Sequence, residues 1–313
     1  MKTTATLFVA FVFLGLAVVF GQGQSQASQR PGDSVATAIP GVIAGGTKVQ
    51  MIKDGFQGSE GPVALPDGGI LFTETRANRI TRIDADGNAS TFLENANGSN
   101  GLGFDPKGRL ISVQTTPGKA KVGVLYPKGS EGALAETFEN KPLVRPNDLV
   151  VDTKGAVYFS DSPGVYYISP GGKLTRVADG IQNPNGVQLS PDEKILYANN
   201  KDGEYLLAFD VQPDGTLRNR RNFAKYISVK RPTDEDNGAD GLAVDADGRV
   251  YVATNLGVEV FSPQGQHVGT IPVSRKAQNL AFSGRDKKTL YIVGGGAAFK
   301  IQTLAQGFKG RAK

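Results

Sequence analysis

Residues 145–161 read RPNDLVVDTKGAVYFSD, and the central part, NDLVVDTKGAVYF at 147–159, decides the fold. A polar residue leads a short apolar stretch, a tight turn follows, and a second stretch rich in β-branched and aromatic residues returns. By itself this is a hairpin, with Pro146, Asn147 and Asp148 acting as turn and cap residues. The same layout, however, recurs five more times. It appears as EGPVALPDGGILF from Glu60, NGLGFDPKGRLIS from Asn100 and NGVQLSPDEKILY from Asn185, then as DGLAVDADGRVYV from Asp240 and NLAFSGRDKKTLYIV from Asn279. The steps between leading residues are 40, 47, 38, 55 and 39.

Several copies continue into third and fourth apolar-alternating stretches, as in RITRIDADGNASTFL at 79–93 and GVEVFSPQGQHVGTI at 257–271. Four short antiparallel strands at a period of about 40 to 50 residues predict a propeller blade. The chain therefore reads as all-β, a six-bladed β-propeller of four-stranded antiparallel blades around a central metal-binding channel. The first strand of each blade then lines that channel, and the six leading residues form a ring at one mouth. They are Glu60, Asn100, Asn147, Asn185, Asp240 and Asn279, and each carries a side-chain oxygen. Asn and Asp suit turns in any case, but Glu60 does not. Such a ring, with two carboxylates among amides, suits a hard cation, and calcium best.

The rest of the sequence sets limits. Lys2 followed by the apolar run Leu7–Phe20 is short for a membrane span, which needs about 20 residues, so residues 1–21 read as a signal peptide. Residues 22–44, rich in Gln, Ser, Gly and Pro, read as a flexible leader, and 45–313 as one propeller domain. Periplasmic or secreted location is expected, with no stable membrane insertion after cleavage. The absence of cysteine excludes disulfides and thiolate metal sites. The net charge of +5 is scattered, which argues against a nucleic-acid partner. Oligomeric state is not legible.

The motifs SEGPV at 59–63, RPNDLVVDTKGAVYFSD at 145–161, NPNGVQLSPDEKILYANN at 183–200 and ADGLAVDADGRVYVA at 239–253 occur in an order that resembles one family. It is that of gluconolactonases, regucalcin (senescence marker protein) and related calcium-dependent propeller hydrolases, diisopropyl fluorophosphatase among them. The resemblance implies calcium, with Zn2+ or Mg2+ as alternatives, held by Glu60, Asn147, Asn185 and Asp240. It implies a small-molecule lactone or ester as substrate, with Asp240 as base, nucleophile or ligand only. Arg145, Asn147 and Asn100 are the candidate substrate contacts, and Asn147 is either a ligand or a group reaching the metal through water. Two departures bear on the substrate. ISVQTTPGKAK at 111–121 and FSDSPG at 159–164 stand where many bacterial members carry a His-containing segment and a longer loop. The one histidine, His267, excludes a paired-His mechanism and reads as a solvated hairpin residue. A non-catalytic propeller binding a small ligand or partner protein is the competing expectation, and an organophosphate-like ester is a third.

Overall fold

The computed structural model describes residues 1, 32–228 and 237–313. The expected signal peptide therefore lies outside the described residues, apart from Met1, as do residues 22–31 of the expected leader. Pro31–Lys313 forms one compact unit. Among the described residues there is no helix, and none could cross a membrane as a helix.

Six small antiparallel sheets make the blades. Blade 1 runs through Ser59–Ala64, Ile70–Glu74, Arg79–Ile83 and Ala89–Glu94. Blade 2 comprises Ser99–Phe104, Leu110–Gln114, Lys121–Tyr126 and Gly132–Ala135. Blade 3 comprises Leu149–Val151, Val157–Asp161, Gly164–Ile168 and Leu174–Ala178. Blade 4 holds Pro184–Leu189, Ile195–Asn200, Tyr205–Val211 and Leu217–Lys225, and blade 5 holds Leu242–Val244, Val250–Thr254, Gly257–Phe261 and His267–Ile271. In blade 6, Asn279–Ser283, Thr289–Gly294 and Ala297–Gln302 are completed by Lys48–Asp54 from the other end of the chain. Gln50 pairs with Lys300 there, so the two ends share a sheet and the ring closes without a broken blade.

The six first strands touch one another in cyclic order, and the last, Asn279–Ser283, returns to the first, Ser59–Ala64. This is the six-bladed propeller expected. Each blade is packed on both faces, which is why second strands such as Val250–Thr254 are buried at every position and read as continuous apolar runs. Outer strands such as Leu217–Lys225 are mostly exposed and charged. Apolar clusters fill the gaps between neighbouring blades. Phe72 and Ile83 of blade 1 meet Tyr291 and Val293 of blade 6, and Ile111 and Val113 of blade 2 meet Val157 and Phe159 of blade 3.

The turn after each first strand has an equivalent backbone slot at positive φ, and the blade 6 turn adds a second at Gly284. Glycine fills the shared slot in four blades (Gly68, Gly108, Gly155, Gly248), while Glu193 and Lys287 occupy it at φ 58° in blades 4 and 6. Asp105, Asp152 and Asp245 brace three of these turns by accepting two main-chain N–H bonds each.

The propeller begins further toward the N-terminus than residue 45. Ser34–Val35 pairs with Lys48 and Val49, and Ile39, Val42 and Ile43 are buried between blades 5 and 6. The Gln, Ser, Gly and Pro content of residues 22–44 points to a flexible leader. Its last part also carries apolar residues that have a place to go only once blade 6 exists.

Candidate active site

The residues leading the first strands lie at the mouth opposite the positive-φ turns. Close approach there depends on the residue that follows each leader, as in Glu60-Gly61, Asn100-Gly101, Asn185-Gly186 and Asp240-Gly241. A Cβ on Gly186 would overlap the Asp240 carbonyl, and one on Gly241 would overlap the Asn279 side chain. The glycines thus let each strand lie against its neighbour and draw the leading side chains together.

Glu60 and Asp240 are both buried. The Glu60 carboxylate accepts hydrogen bonds from Gln278 Nε2 (2.8 Å) and Asn279 Nδ2 (3.4 Å). Burial, reinforced by the Asp240 charge, pushes its carboxyl up to about 8, with Lys201 opposing. Burial also raises the Asp240 carboxyl, opposed by the Lys201 ammonium 2.9 Å from its Oδ2. The Asp240 carbonyl accepts from Gly186 N at 3.1 Å and from Asn199 Nδ2. Asn185 is buried, and its Oδ1 has no hydrogen-bond partner. An orphaned buried acceptor costs about 1–3 kcal/mol unless something binds it.

The remaining candidates divide. Asn147 and Asn100 are half-buried at the same mouth. Asn147 is fixed through its main chain, donating to Ser160 O and accepting from Gly101 N, each at 3.0 Å. Arg145 is exposed, with Nη2 donating to Asn183 Oδ1 at 3.1 Å, two residues before Asn185. Asp161 holds the Arg145 loop by accepting the main-chain N–H groups of Val144 and Arg145. Asn279 departs from the expected ring of equal donors. Its Oδ1 accepts Leu280 N and its amide donates to Glu60, so it orients that carboxylate instead of offering an oxygen. Asp148, read as a turn and cap residue, accepts Leu149 N at 2.9 Å and also pairs with Lys313.

No group of three His, Cys, Asp or Glu side chains suited to a metal occurs among the described residues. Any ion here would rely on two carboxylates and amide oxygens, a donor set that fits a hard cation. The unpartnered Asn185 Oδ1 and the two carboxylates raised by burial are groups that a cation would satisfy together.

Sequence reasoning missed Lys201. It follows the second strand of blade 4, where Asn200 pairs with Pro184, and that register sets it near the Asn185 end of the blade. A lysine directly after ANN at 198–200 was the available signal. A cavity of about 270 Å3 opens beside it, lined in part by Tyr226, Ser228 and Asn237. A larger cavity of about 640 Å3 lies against the 111–121 segment, lined in part by Thr115, Lys119, Lys121 and Val144. An unanticipated hairpin, Thr137–Phe138 with Lys141–Pro142, contributes to its wall.

With cation removed by chelator, the sign of the pH dependence follows from Glu60. Its folded carboxyl titrates near 8 and its unfolded one near 4.5, so between these values the folded state holds a proton that unfolding releases. Stability present below the lower value is therefore lost as pH rises toward 8. Asp152, Asp161 and Asp240 shift in the same direction, each mainly through burial. Chelated protein is expected to melt on the order of 5–10 °C lower at pH 8 than at pH 5, by calorimetry. Added calcium should reverse most of the drop, and a melting point that rises with pH in chelator would contradict this account of Glu60.

Fold and site together define a six-bladed propeller with an oxygen-lined, partly acidic channel mouth. The chain belongs to the SMP-30/gluconolactonase/LRE-like family, whose signature matches residues 58–295. It is 26% identical to a gluconolactonase of Zymomonas mobilis over 93% of both chains. It is 35% identical to the lactonase drp35 of Staphylococcus haemolyticus over 40% of this chain and 41% of that one. Among solved structures it is similar to a gluconolactonase from Xanthomonas campestris, with 27% identity and a TM-score of 0.76 over 87% of this chain and 95% of the other. A calcium-binding regucalcin from Agrobacterium tumefaciens shares the fold at 16% identity and a TM-score of 0.68, over 84% of this chain and 98% of that one.

Proposed function

We propose that the protein is a divalent-metal-dependent hydrolase that opens a lactone or related ester, with calcium as the preferred ion. The observation that carries this reading is the convergence of Glu60, Asn185 and Asp240 at one channel mouth in a chain of this family. These three residues, with Asn147, would hold the ion. When bound, the ion supplies Lewis-acid polarisation of the scissile carbonyl.

The chain's own residues do the rest. Asp240 takes a proton from the attacking water, whose oxygen bonds to the carbonyl carbon. The acyl–oxygen bond then breaks, and the ring oxygen leaves as an alcohol after taking that proton back from Asp240, which restores the carboxylate. The Lys201 ammonium favours the ionised form of Asp240 that this role needs. Arg145, Asn147 and Asn100 orient the substrate oxygens at the rim. Periplasmic or secreted placement is proposed on the apolar run Leu7–Phe20 alone.

The test is hydrolysis of a panel of aldonolactones and simple lactones by calcium-loaded protein, by chelated protein, and after calcium, zinc or magnesium is restored. Turnover that is lost on chelation and returns with calcium supports the proposal. If calcium-loaded protein opens no lactone, the hydrolase reading fails. Full activity in the chelated sample would remove the metal from the mechanism.

A further inference from the structure

The segment after blade 6, Thr303–Lys313, crosses the turn face and is bonded to five blades. Gln306 O accepts Ala246 N at 2.7 Å, Gly307 N donates to Lys287 O at 2.8 Å, and Ala312 O accepts Ala64 N at 3.1 Å. Arg311 is buried against blade 4, donating to Leu189 O (2.7 Å) and Ser190 O (3.2 Å) and pairing with Glu193 at 3.0 Å. This anchoring carries the Lys313 side chain into the channel from the face opposite the candidate site.

Lys313 Nζ lies 2.6 Å from both Oδ1 and Oδ2 of Asp148, and the two side chains are 3% and 0% exposed. Asp148 follows Asn147 directly. Its main-chain N–H donates to Ser160 Oγ, and its carboxylate also accepts Leu149 N at 2.9 Å. The Asp148 carboxylate lies against Gly101, where an added Cβ would stand 2.5 Å from Oδ1, and Gly101 N donates to Asn147 O, so the pair sits directly behind Asn100 and Asn147 at the mouth. A buried ion pair of this geometry is expensive to desolvate and is weak evidence of a purely stabilising role.

We infer that Lys313 is a positioning and charge-setting residue for the channel mouth: its ammonium neutralises Asp148 beneath Asn147 and thereby fixes how tightly the Glu60–Asn185–Asp240 set holds a divalent cation. The inference rests on the metal reading above. Two charges in a partly buried site interact far more strongly than in water, so removing the ammonium leaves a bare carboxylate that draws a dication.

The experiment is calcium titration calorimetry at constant pH on the full chain, with folding of each variant checked by circular dichroism. Lys313→Met is expected to bind calcium about tenfold more tightly than the wild type. Asp148→Asn, which leaves the ammonium uncompensated, is expected to bind about tenfold more weakly. The double variant Asp148→Asn/Lys313→Met should return near the wild-type value. Should Lys313→Met not fold, the comparison of Asp148→Asn with the double variant carries the same test. Equal affinities across the folded variants would overturn the role assigned to Lys313 while leaving the metal site standing. A wild type that binds no calcium would overturn both.

Discussion

Asp240→Asn is expected to lower kcat/KM for lactone hydrolysis by at least about 10³-fold, the upper range for loss of a general base compounded by a weakened metal site. The substitution keeps the shape of the side chain and its position ahead of Leu242–Val244. It removes the charge that faces Lys201 and leaves that ammonium 2.9 Å from an amide. Kinetics at rising calcium separate the two roles. Full recovery at high calcium would make Asp240 a ligand only, whereas persistent loss with the ion bound would make it the base or nucleophile. Activity within tenfold of wild type at ordinary calcium would refute both.

Gly241→Ala and Gly186→Ala should each destabilise the fold by about 3 kcal/mol, at the upper end of the usual overpacking cost. Neither glycine sits at positive φ; the problem is space. At 241 the added methyl would overlap Asn279, which orients Glu60, and at 186 it would overlap the Asp240 carbonyl. A shift at either position separates neighbouring first strands, so metal affinity should fall along with the melting temperature, by roughly 10 °C. Gly132→Ala is the control, since nothing lies within 4 Å of the added methyl, and its effect should stay within about 0.5 kcal/mol. Melting curves showing all three variants alike would contradict the close-approach argument.

The gathering of the leading residues at one mouth is legible in the sequence. The six leading residues can be placed there because each begins a repeat, and equivalent positions in a closed ring of repeats share one end of the axis. The choice of Glu60, Asn147, Asn185 and Asp240 among them comes from the family resemblance. The support around them is not legible in either way. Lys201 closes an ion pair across 39 residues, and Gln278 reaches Glu60 across 218. No periodicity marks such contacts, because neither partner belongs to the repeating apolar pattern. Asn279 illustrates the converse: it aligns with the ring, yet its own Leu280 N–H takes the oxygen, a local hydrogen bond that no alignment distinguishes from a free one.

The sequence alone determined the class of architecture, the number of blades, the turns and the mouth at which the leading residues gather. All of these follow from alternation of period two within each hairpin and from recurrence along the chain, both of which are local. Only the tertiary structure decided how the ring closes and what enters the channel. Lys48–Asp54 completes blade 6, Ile39 to Ile43 pack behind it, and Lys313 reaches Asp148 from the opposite face. Each of those contacts joins segments far apart in the chain, and their partners are fixed by where the closed ring leaves an unpaired strand edge, an apolar gap or a buried charge.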